Sequence, residues 1–468
     1  MTFLPLLALT QISIVHQNAP SVETPPAAVV GQELQQDGLP RRGALGLSFT
    51  PLPPEQAADF GLSEGQGLVA QQPAPDLTAD KMGVKAGDII LRLNGDPVSA
   101  QSIGRVIREI PAGSELTFRI VRNGKQSDLR GKLLEKPRDP GNANFQVIYS
   151  HVVSHGQKMR TIITVPKSAG KHPGFMFIQG FSPISYDYVL EKATGDVQTL
   201  DGPILFEFAN SDFVTIRVEK PGVGDSEGGP FAELDYITEL DIYRQTLLQL
   251  KSLPNVDTEN VFIFGHSMGG SFGPMIAAEI PVKGLAIYGA AARTWFEYLL
   301  DTIRYQGLVG GDSYESADEV TRQGARMMAL VMLEDKSPEE VKASHPDLAP
   351  LVDSFFPGGM FNGKSLSFWR QLGQINFASY WAKCNARVLA VRGQSDFVTY
   401  DADHRLMADI VNRAHPGWGE FAIAPNSDHL FHNFPSEQES MKNFQRGKFN
   451  PAFTKMMKDW ITRVMASD

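Results

Sequence analysis

The chain has a single cysteine, Cys384, in 468 residues, so no internal disulfide staples it. It has no apolar run of the roughly 20 residues that a membrane helix needs, and no integral membrane segment is expected. Lys and Arg form no cluster, and the net charge is -10. Counterion release, which drives non-specific nucleic-acid binding, offers such a chain nothing, so nucleic acid is not an expected partner. The ten histidines are scattered. Asp401, Asp403 and His404 lie close together but have no further ligand set, and they read as the charged start of a helix. No metal is expected. The glycine clusters lack the spacing of a phosphate loop or a dinucleotide fold, so no cofactor is implied. Gly at 43 and Pro at 31 are ordinary values that exclude fibrous and low-complexity classes. What is present is a 42% hydrophobic, 21% charged chain, which fits a globular protein with a real core. Its length suits two or three domains at about 150 residues each.

The stretch 3–15, FLPLLALTQISIV, has the length of a signal-peptide apolar region, although no Lys or Arg precedes it. A polar, Pro-rich segment follows over 17–36. Residues 1–40 are therefore read as an export signal and linker, which implies a periplasmic or secreted protein. The competing reading is a disordered N-terminus, or a misplaced start, on a cytoplasmic chain.

Residues 41–137 carry closely spaced strand and turn signals. Ala44-Leu45-Gly46-Leu47-Ser48-Phe49 reads as a loop leading into a strand, and Gly67-Leu68-Val69-Ala70 as a short strand. Asp88-Ile89-Ile90-Leu91-Arg92-Leu93 runs into Asn94-Gly95, and a second strand over 116–122 runs into Asn123-Gly124; Asn-Gly pairs favour tight hairpins. Ile103, Val106, Ile107 and Ile110 share one helical face over 102–110. The run Met82-Gly83-Val84-Lys85-Ala86-Gly87-Asp88-Ile89-Ile90-Leu91, completed by Asn94-Gly95-Asp96-Pro97-Val98, resembles the signature of bacterial PDZ domains that accompany periplasmic serine proteases. The resemblance implies a small α+β domain that adds an extended peptide to a strand edge and captures its terminal carboxylate. By that resemblance the capture loop is Leu45, Gly46 and Leu47, with the 102–110 helix flooring the slot. Arg41 and Arg42 stand nearby as bases that could assist the carboxylate, but a basic pair at a strand start is read first as solvated. The competing reading is a domain kept for packing, with an empty groove.

From about 140 the pattern changes to strands alternating with helices, the mark of a mainly parallel, doubly wound sheet. Eight strands are expected, at 146–153, 160–165, 174–179, 213–218, 261–264, 284–288, 387–391 and 420–424. Helices are expected at 236–253, 267–280, 403–413 and 451–465. Gly265-His266-Ser267-Met268-Gly269 sits between the strand Val261-Phe262-Ile263-Phe264 and a helix-compatible run. Strand, G-x-S-x-G and helix in that order form the context of a nucleophile elbow. A serine hydroxyl needs a base, and the base needs an orienting acid. Both follow at strand ends: Asp396 in Gly393-Gln394-Ser395-Asp396 and His429 in Pro425-Asn426-Ser427-Asp428-His429. Asp401, Asp403 and His432 are rivals within a few residues. Two backbone N–H groups are needed for the oxyanion. Met268 supplies one, and Phe181, after the strand Gly174-Phe175-Met176-Phe177-Ile178, is the candidate for the other.

The stretch 145–468 resembles the α/β-hydrolase superfamily, nearest its prolyl-oligopeptidase-like and dienelactone-hydrolase-like branches. The resemblance implies an eight-stranded sheet with a helical cap inserted at about 292–381, inside a domain of 140–468. Val218-Glu219-Lys220-Pro221-Gly222-Val223-Gly224-Asp225-Ser226-Glu227-Gly228 looks like the glycine-rich loop after the fourth strand of such enzymes. It is read as structural, with Ser226 a minor rival nucleophile. Gln179 departs from the His-Gly common at that place. Five aromatics in the cap, Phe355, Phe356, Phe361, Phe368 and Trp369, look exposed and are read either as pocket lining or as packing. The expected function is hydrolysis of an ester or related acyl bond through an acyl-enzyme at Ser267. A serine peptidase is the close alternative, and a peptide-binding protein with an inactive hydrolase domain is a third reading.

Overall fold

A computed structural model describes residues 38–190 and 200–467. The segment read as an export signal, and most of the linker, lie outside these residues. The chain divides into two compact units, one of them Pro40–Arg138 and the other running on from Asp139.

The first unit is a sheet with strands β1 (Phe49–Pro51), β2 (Leu68–Ala70), β3 (Ile89–Leu93), β4 (Asp96–Pro97), β5 (Glu115–Arg122) and β6 (Lys125–Lys132). Their order is β1-β2-β3-β5-β6, with β4 paired on β3. Asn94-Gly95 and Asn123-Gly124 close the β3–β4 and β5–β6 hairpins, all four residues at positive φ, as the two-residue turn requires. Helices α1 (Pro54–Asp59), α2 (Thr78–Lys81) and α3 (Ile103–Glu109) complete the unit. Ile103 and Ile107 of α3 are buried against Leu93, Leu116 and Phe118. Arg122 clamps the Asp88 carboxylate at 2.6 and 2.7 Å, which fixes the turn before β3.

The second unit is built on strands β7 (Phe145–Ser154), β8 (Gln157–Pro166), β9 (His172–Ile178), β10 (Val214–Val218), β11 (Val256–His266), β12 (Gly284–Tyr288), β13 (Arg387–Gly393) and β14 (Gly419–Ala424). The order is β14-β13-β12-β11-β9-β10-β8-β7. Only the β7–β8 and β8–β10 pairs are antiparallel. Every residue of β10 and β12 is buried, because helices cover both faces of a parallel sheet. Along β11 and β12, alternate residues go to opposite cores: Ile263 and Leu285 to one, Phe262, Phe264, Ala286 and Tyr288 to the other. Helix α4 (Gly202–Ala209) covers the second face, where Ile204, Leu205 and Phe208 pack. Helices α5 (Tyr236–Ser252) and α6 (Gly269–Glu279) cover the first.

The cap comprises α7 (Trp295–Gly310), α8 (Tyr314–Met328), a π turn at Ala329–Leu333, α9 (Pro338–Ser344), α10 (Ala349–Phe355), α11 (Leu366–Gly373) and α12 (Phe377–Lys383). After it come α13 (Asp401–Ala414) beside the first core, α14 (Glu437–Lys442), and α15 (Ala452–Met465) on the second face. The exposed reading of the cap aromatics is corrected here. Phe355, Phe356, Phe361, Phe368 and Trp369 are all buried. They pack on one another, with Phe361 and Phe368 rings 5.2 and 4.9 Å from Trp369, and the Trp369 indole N–H donates to the Phe361 carbonyl at 2.9 Å. Short helices joined by loops hide such a core, because no single period runs through it. Among the described residues, no helix is long and apolar enough to cross a membrane.

Candidate active site

Ser267 lies between β11 and α6 with φ +53, a left-handed conformation costly for a residue with a Cβ. Its neighbours make the turn possible by having none. A Cβ on Gly265 would stand 2.7 Å from the Gly269 carbonyl oxygen, and one on Gly269 would stand 2.1 Å from that of Ile178. The Ser267 N–H donates to Tyr288 O at 2.9 Å, pinning the turn to β12.

His429 Nε2 is 3.0 Å from Ser267 Oγ, and its Nδ1 is 3.0 Å from Asp396 Oδ2. Asp396 is fully buried. Its carboxylate accepts from Val398 N at 2.7 Å, Thr399 N at 3.1 Å and Thr399 Oγ1 at 2.6 Å. Burial alone would raise its pKa, but the facing His429, then Arg392 and the Thr399 hydroxyl, outweigh that and hold it well below the usual carboxylate range. Arg392 fixes the acid loop by donating to Asp396 O at 2.5 Å and Thr399 O at 2.8 Å. The base loop is held by Asp428, which accepts from Leu430 N at 2.9 Å and His432 N at 2.7 Å. The Tyr288 hydroxyl donates to Asp428 O at 2.6 Å.

The rivals are engaged elsewhere. His432 Nδ1 faces Asp428 at 3.7 Å. Asp403 accepts from the N–H groups of Ala292 and Arg293, and Asp401 pairs with Arg392 at 3.4 Å. Ser226 Oγ is buried, accepting from Arg160 N and donating to Glu219 O, each at 2.9 Å. Gln179 ties β9 to β10 through its Nε2, which donates to Val218 O at 2.8 Å.

The N–H groups of Met268 and Phe181 donate to no group among the described residues. Gly180 packs against the serine; a Cβ there would lie 3.4 Å from Ser267 Cβ. The serine opens on a cleft that includes Phe181, Ile184, Tyr186, Trp295, Tyr298 and Leu430 in its wall. Among the described lining residues none is Asp, Glu, Lys or Arg.

Two features escape sequence reasoning. His266 Nε2 donates to the His429 carbonyl at 2.8 Å, and its Nδ1 stands 3.0 Å from Asp201 Oδ1. Burial opposes a charge on this ring, yet Asp201 and the His429 carbonyl prevail and raise its pKa. The Asp201 carboxylate in turn accepts from the Tyr186 hydroxyl at 2.7 Å. Nothing local to Asp201 signals this. Gly289, at φ +62, is the other feature. A Cβ there would lie 2.9 Å from His429 Nδ1 and 3.2 Å from Asp396 Oδ2. Its signal is a glycine at the end of β12, on the sheet edge that carries Ser267. Gly289→Ala is expected to wedge the imidazole from the carboxylate and lower kcat about 10²-fold, the scale of a 1 Å misplacement. Steady-state kinetics beside a thermal melt checks it: unchanged kcat in a folded variant counts against the packing.

In the first unit, Gly46 has φ +65. The carbonyls of Leu45 and Gly46 accept from Ala79 N and Ala74 N, each at 2.8 Å. The N–H groups of Leu45, Gly46 and Leu47 donate to nothing among the described residues. Arg41 and Arg42 are not solvated bases. Arg41 is buried and donates to the carbonyls of Lys136 and Pro137, while Arg42 donates to Arg108 O at 3.3 Å.

Residues 43–133 match the PDZ domain family model, and the first unit is a PDZ domain. The second unit is a mainly parallel eight-stranded sheet with helices on both faces, a glycine-flanked serine turn after β11 and a helical insertion between β12 and β13. A probable periplasmic serine endoprotease, DegP-like, of Halomonas elongata is 33% identical over 101 residues, covering 21% of this chain and 21% of that protein. The periplasmic serine endoprotease DegP of Escherichia coli is 33% identical over 108 residues, covering 23% of each. The chain thus spans under a quarter of the length of these two relatives. Among solved structures, a carboxyl esterase of Bacillus coagulans is 16% identical with TM-score 0.42, over 69% of this chain and 100% of that one. A putative dipeptidyl aminopeptidase IV of Bacteroides ovatus is 12% identical with TM-score 0.42, over 74% and 40%.

Proposed function

We propose that this chain is a serine hydrolase that cleaves an ester or related acyl bond, with Ser267, His429 and Asp396 as its catalytic groups. The carrying observation is the unbroken run from the Asp396 carboxylate through His429 to Ser267 Oγ, with 3.0 Å at each step. Ser267 Oγ attacks the carbonyl carbon while His429 Nε2 takes its proton. The tetrahedral oxygen is held by the N–H groups of Met268 and Phe181. Collapse breaks the acyl–oxygen bond, and the alcohol leaves with the proton from His429. Water, deprotonated by the same ring, then releases the acid.

The cleft favours an ester over an aminopeptidase substrate. An α-ammonium group needs an anionic partner when it leaves water, and no carboxylate is among the described lining residues. A panel of p-nitrophenyl esters set against aminoacyl and prolyl anilides decides the matter, together with fluorophosphonate labelling. Faster turnover of the anilides overturns the ester reading, and absence of both turnover and labelling overturns the hydrolase reading.

The PDZ domain is proposed to bind C-terminal peptides through the free N–H groups of Leu45, Gly46 and Leu47, beside the half-buried Leu45, Leu47, Phe49, Val106 and Ile110. Gly46→Glu, whose Cβ would meet Leu77 Cβ at 2.4 Å and whose charge repels a carboxylate, is expected to weaken peptide capture at least tenfold, about 1.4 kcal/mol. Ester turnover should not change. Fluorescence anisotropy with a C-terminal peptide library measures it, and equal capture by the variant argues against this loop. Export to the periplasm is also proposed, on the residue pattern of 3–15 and the location named for the relatives; an alkaline phosphatase fusion that stays inactive sinks it.

A further inference from the structure

Close to the oxyanion loop lies a buried cluster of charge that the mechanism above does not use. Lys220, in the loop after β10, is 1% exposed. Its Nζ donates to Gly180 O at 2.6 Å and Phe181 O at 2.9 Å, and pairs with Glu239 of α5 at 2.8 Å. Lys364, from the cap, pairs with the same carboxylate at 3.1 Å and donates to Leu234 O at 3.1 Å. Its ammonium also sits 3.9 Å from the Phe368 ring centre and 4.3 Å from that of Phe231. Two buried cations thus share one carboxylate.

Such a cluster is a poor investment for stability alone. Each buried ion costs several kcal/mol of hydration, and an apolar replacement of similar volume is often as stable. Burial, reinforced by Lys220, pushes Lys364 down to about 8, even though Glu239 pulls the other way. What the cluster does reach is a specific peptide unit. The carbonyl of Gly180 and the N–H of Phe181 belong to one planar amide, and in a trans amide they point in opposite directions. A cation on the carbonyl oxygen therefore fixes the plane of that amide and draws electron density from its nitrogen, which makes the N–H a stronger donor.

We propose that Lys220 is a positioning residue of the oxyanion hole, which orients and polarises the Gly180–Phe181 amide so that the Phe181 N–H stabilises the tetrahedral oxygen. This rests on the hydrolase reading above. Lys220 touches no substrate atom; it acts through the backbone.

The test uses the full chain, a p-nitrophenyl ester as substrate and a phenylalkyl boronic acid as the mimic of the tetrahedral adduct. Removing one oxyanion donor costs about 10²–10³ in kcat. Lys220→Met weakens a donor rather than removing it, so kcat is expected to fall about 10- to 100-fold. KM should stay within about twofold, and the boronate inhibition constant should rise by the same factor as kcat falls. A merely structural role lowers the melting temperature without coupling kcat to boronate affinity. The triple variant Lys220→Met, Glu239→Leu, Lys364→Met removes the clamp and leaves no unpaired charge. It keeps the question open to measurement if the single variant fails to fold, and the same losses are expected of it. A folded variant with kcat and boronate affinity near wild type overturns the proposal. A wild-type chain with neither ester turnover nor fluorophosphonate labelling sinks the hydrolase reading and this proposal with it, which is distinct from an active enzyme indifferent to Lys220.

Discussion

Ser267→Ala is expected to abolish fluorophosphonate labelling and to lower ester turnover by about 10⁶-fold, the loss that follows removal of the nucleophile from such a triad. The scale follows from what the hydroxyl supplies. Without Oγ there is no acyl-enzyme, and a water must attack directly beside an imidazole placed for another atom. The two N–H groups and the cleft remain, so substrate binding should change little and a residual rate above that in water should persist. Alanine also exchanges one non-glycine residue for another at φ +53, so the turn should be no more strained than before. Active-site labelling followed by mass spectrometry gives the clearest measurement. A variant that still labels would place the nucleophile on another residue.

Asp396→Asn is expected to lower kcat about 10⁴-fold with little change in fold. The carboxylate accepts four hydrogen bonds, from Val398 N, Thr399 N, Thr399 Oγ1 and His429 Nδ1, and gives none. An amide has one accepting oxygen. If it keeps the oxygen on the two backbone N–H groups, its NH₂ turns toward His429 Nδ1. The ring must then carry its proton on Nε2, which leaves no acceptor for the Ser267 proton. The substitution thus inverts the tautomer while the atoms hardly move. A kcat profile against pH separates this from collapse: the residual rate should rise at high pH, where hydroxide substitutes for the missing base. A loss of less than tenfold would mean that Asp396 does not orient the ring.

The central strands were legible because parallel strands covered on both faces read as short apolar runs between turn residues. All eight lie where those runs do, and the main difference is that β11 begins at Val256, before a register shift between Asp257 and Val261. The candidate groups were legible because this fold collects function at the ends of strands, so Asp396 and His429 follow β13 and β14. Contacts across the fold were not legible. His266 meets a carbonyl 163 residues away, and Lys220 grips carbonyls 39 and 40 residues behind it. Both residues lie inside motifs quoted above, but neither motif says which distant carbonyl the side chain will meet. Gly289 and the buried cap aromatics belong to the same class: their surroundings exist only after the chain has closed.

The positive φ at Ser267 has a consequence for the history of such a chain. Glycine is the residue best suited to that backbone angle, and a single base change converts the AGC and AGT serine codons to glycine ones. A gene copy freed from selection for turnover would thus gain stability by losing its hydroxyl, so the downhill drift leads away from activity. A chain selected for turnover would keep serine there at that cost, whereas one retained for its fold alone would have no need to.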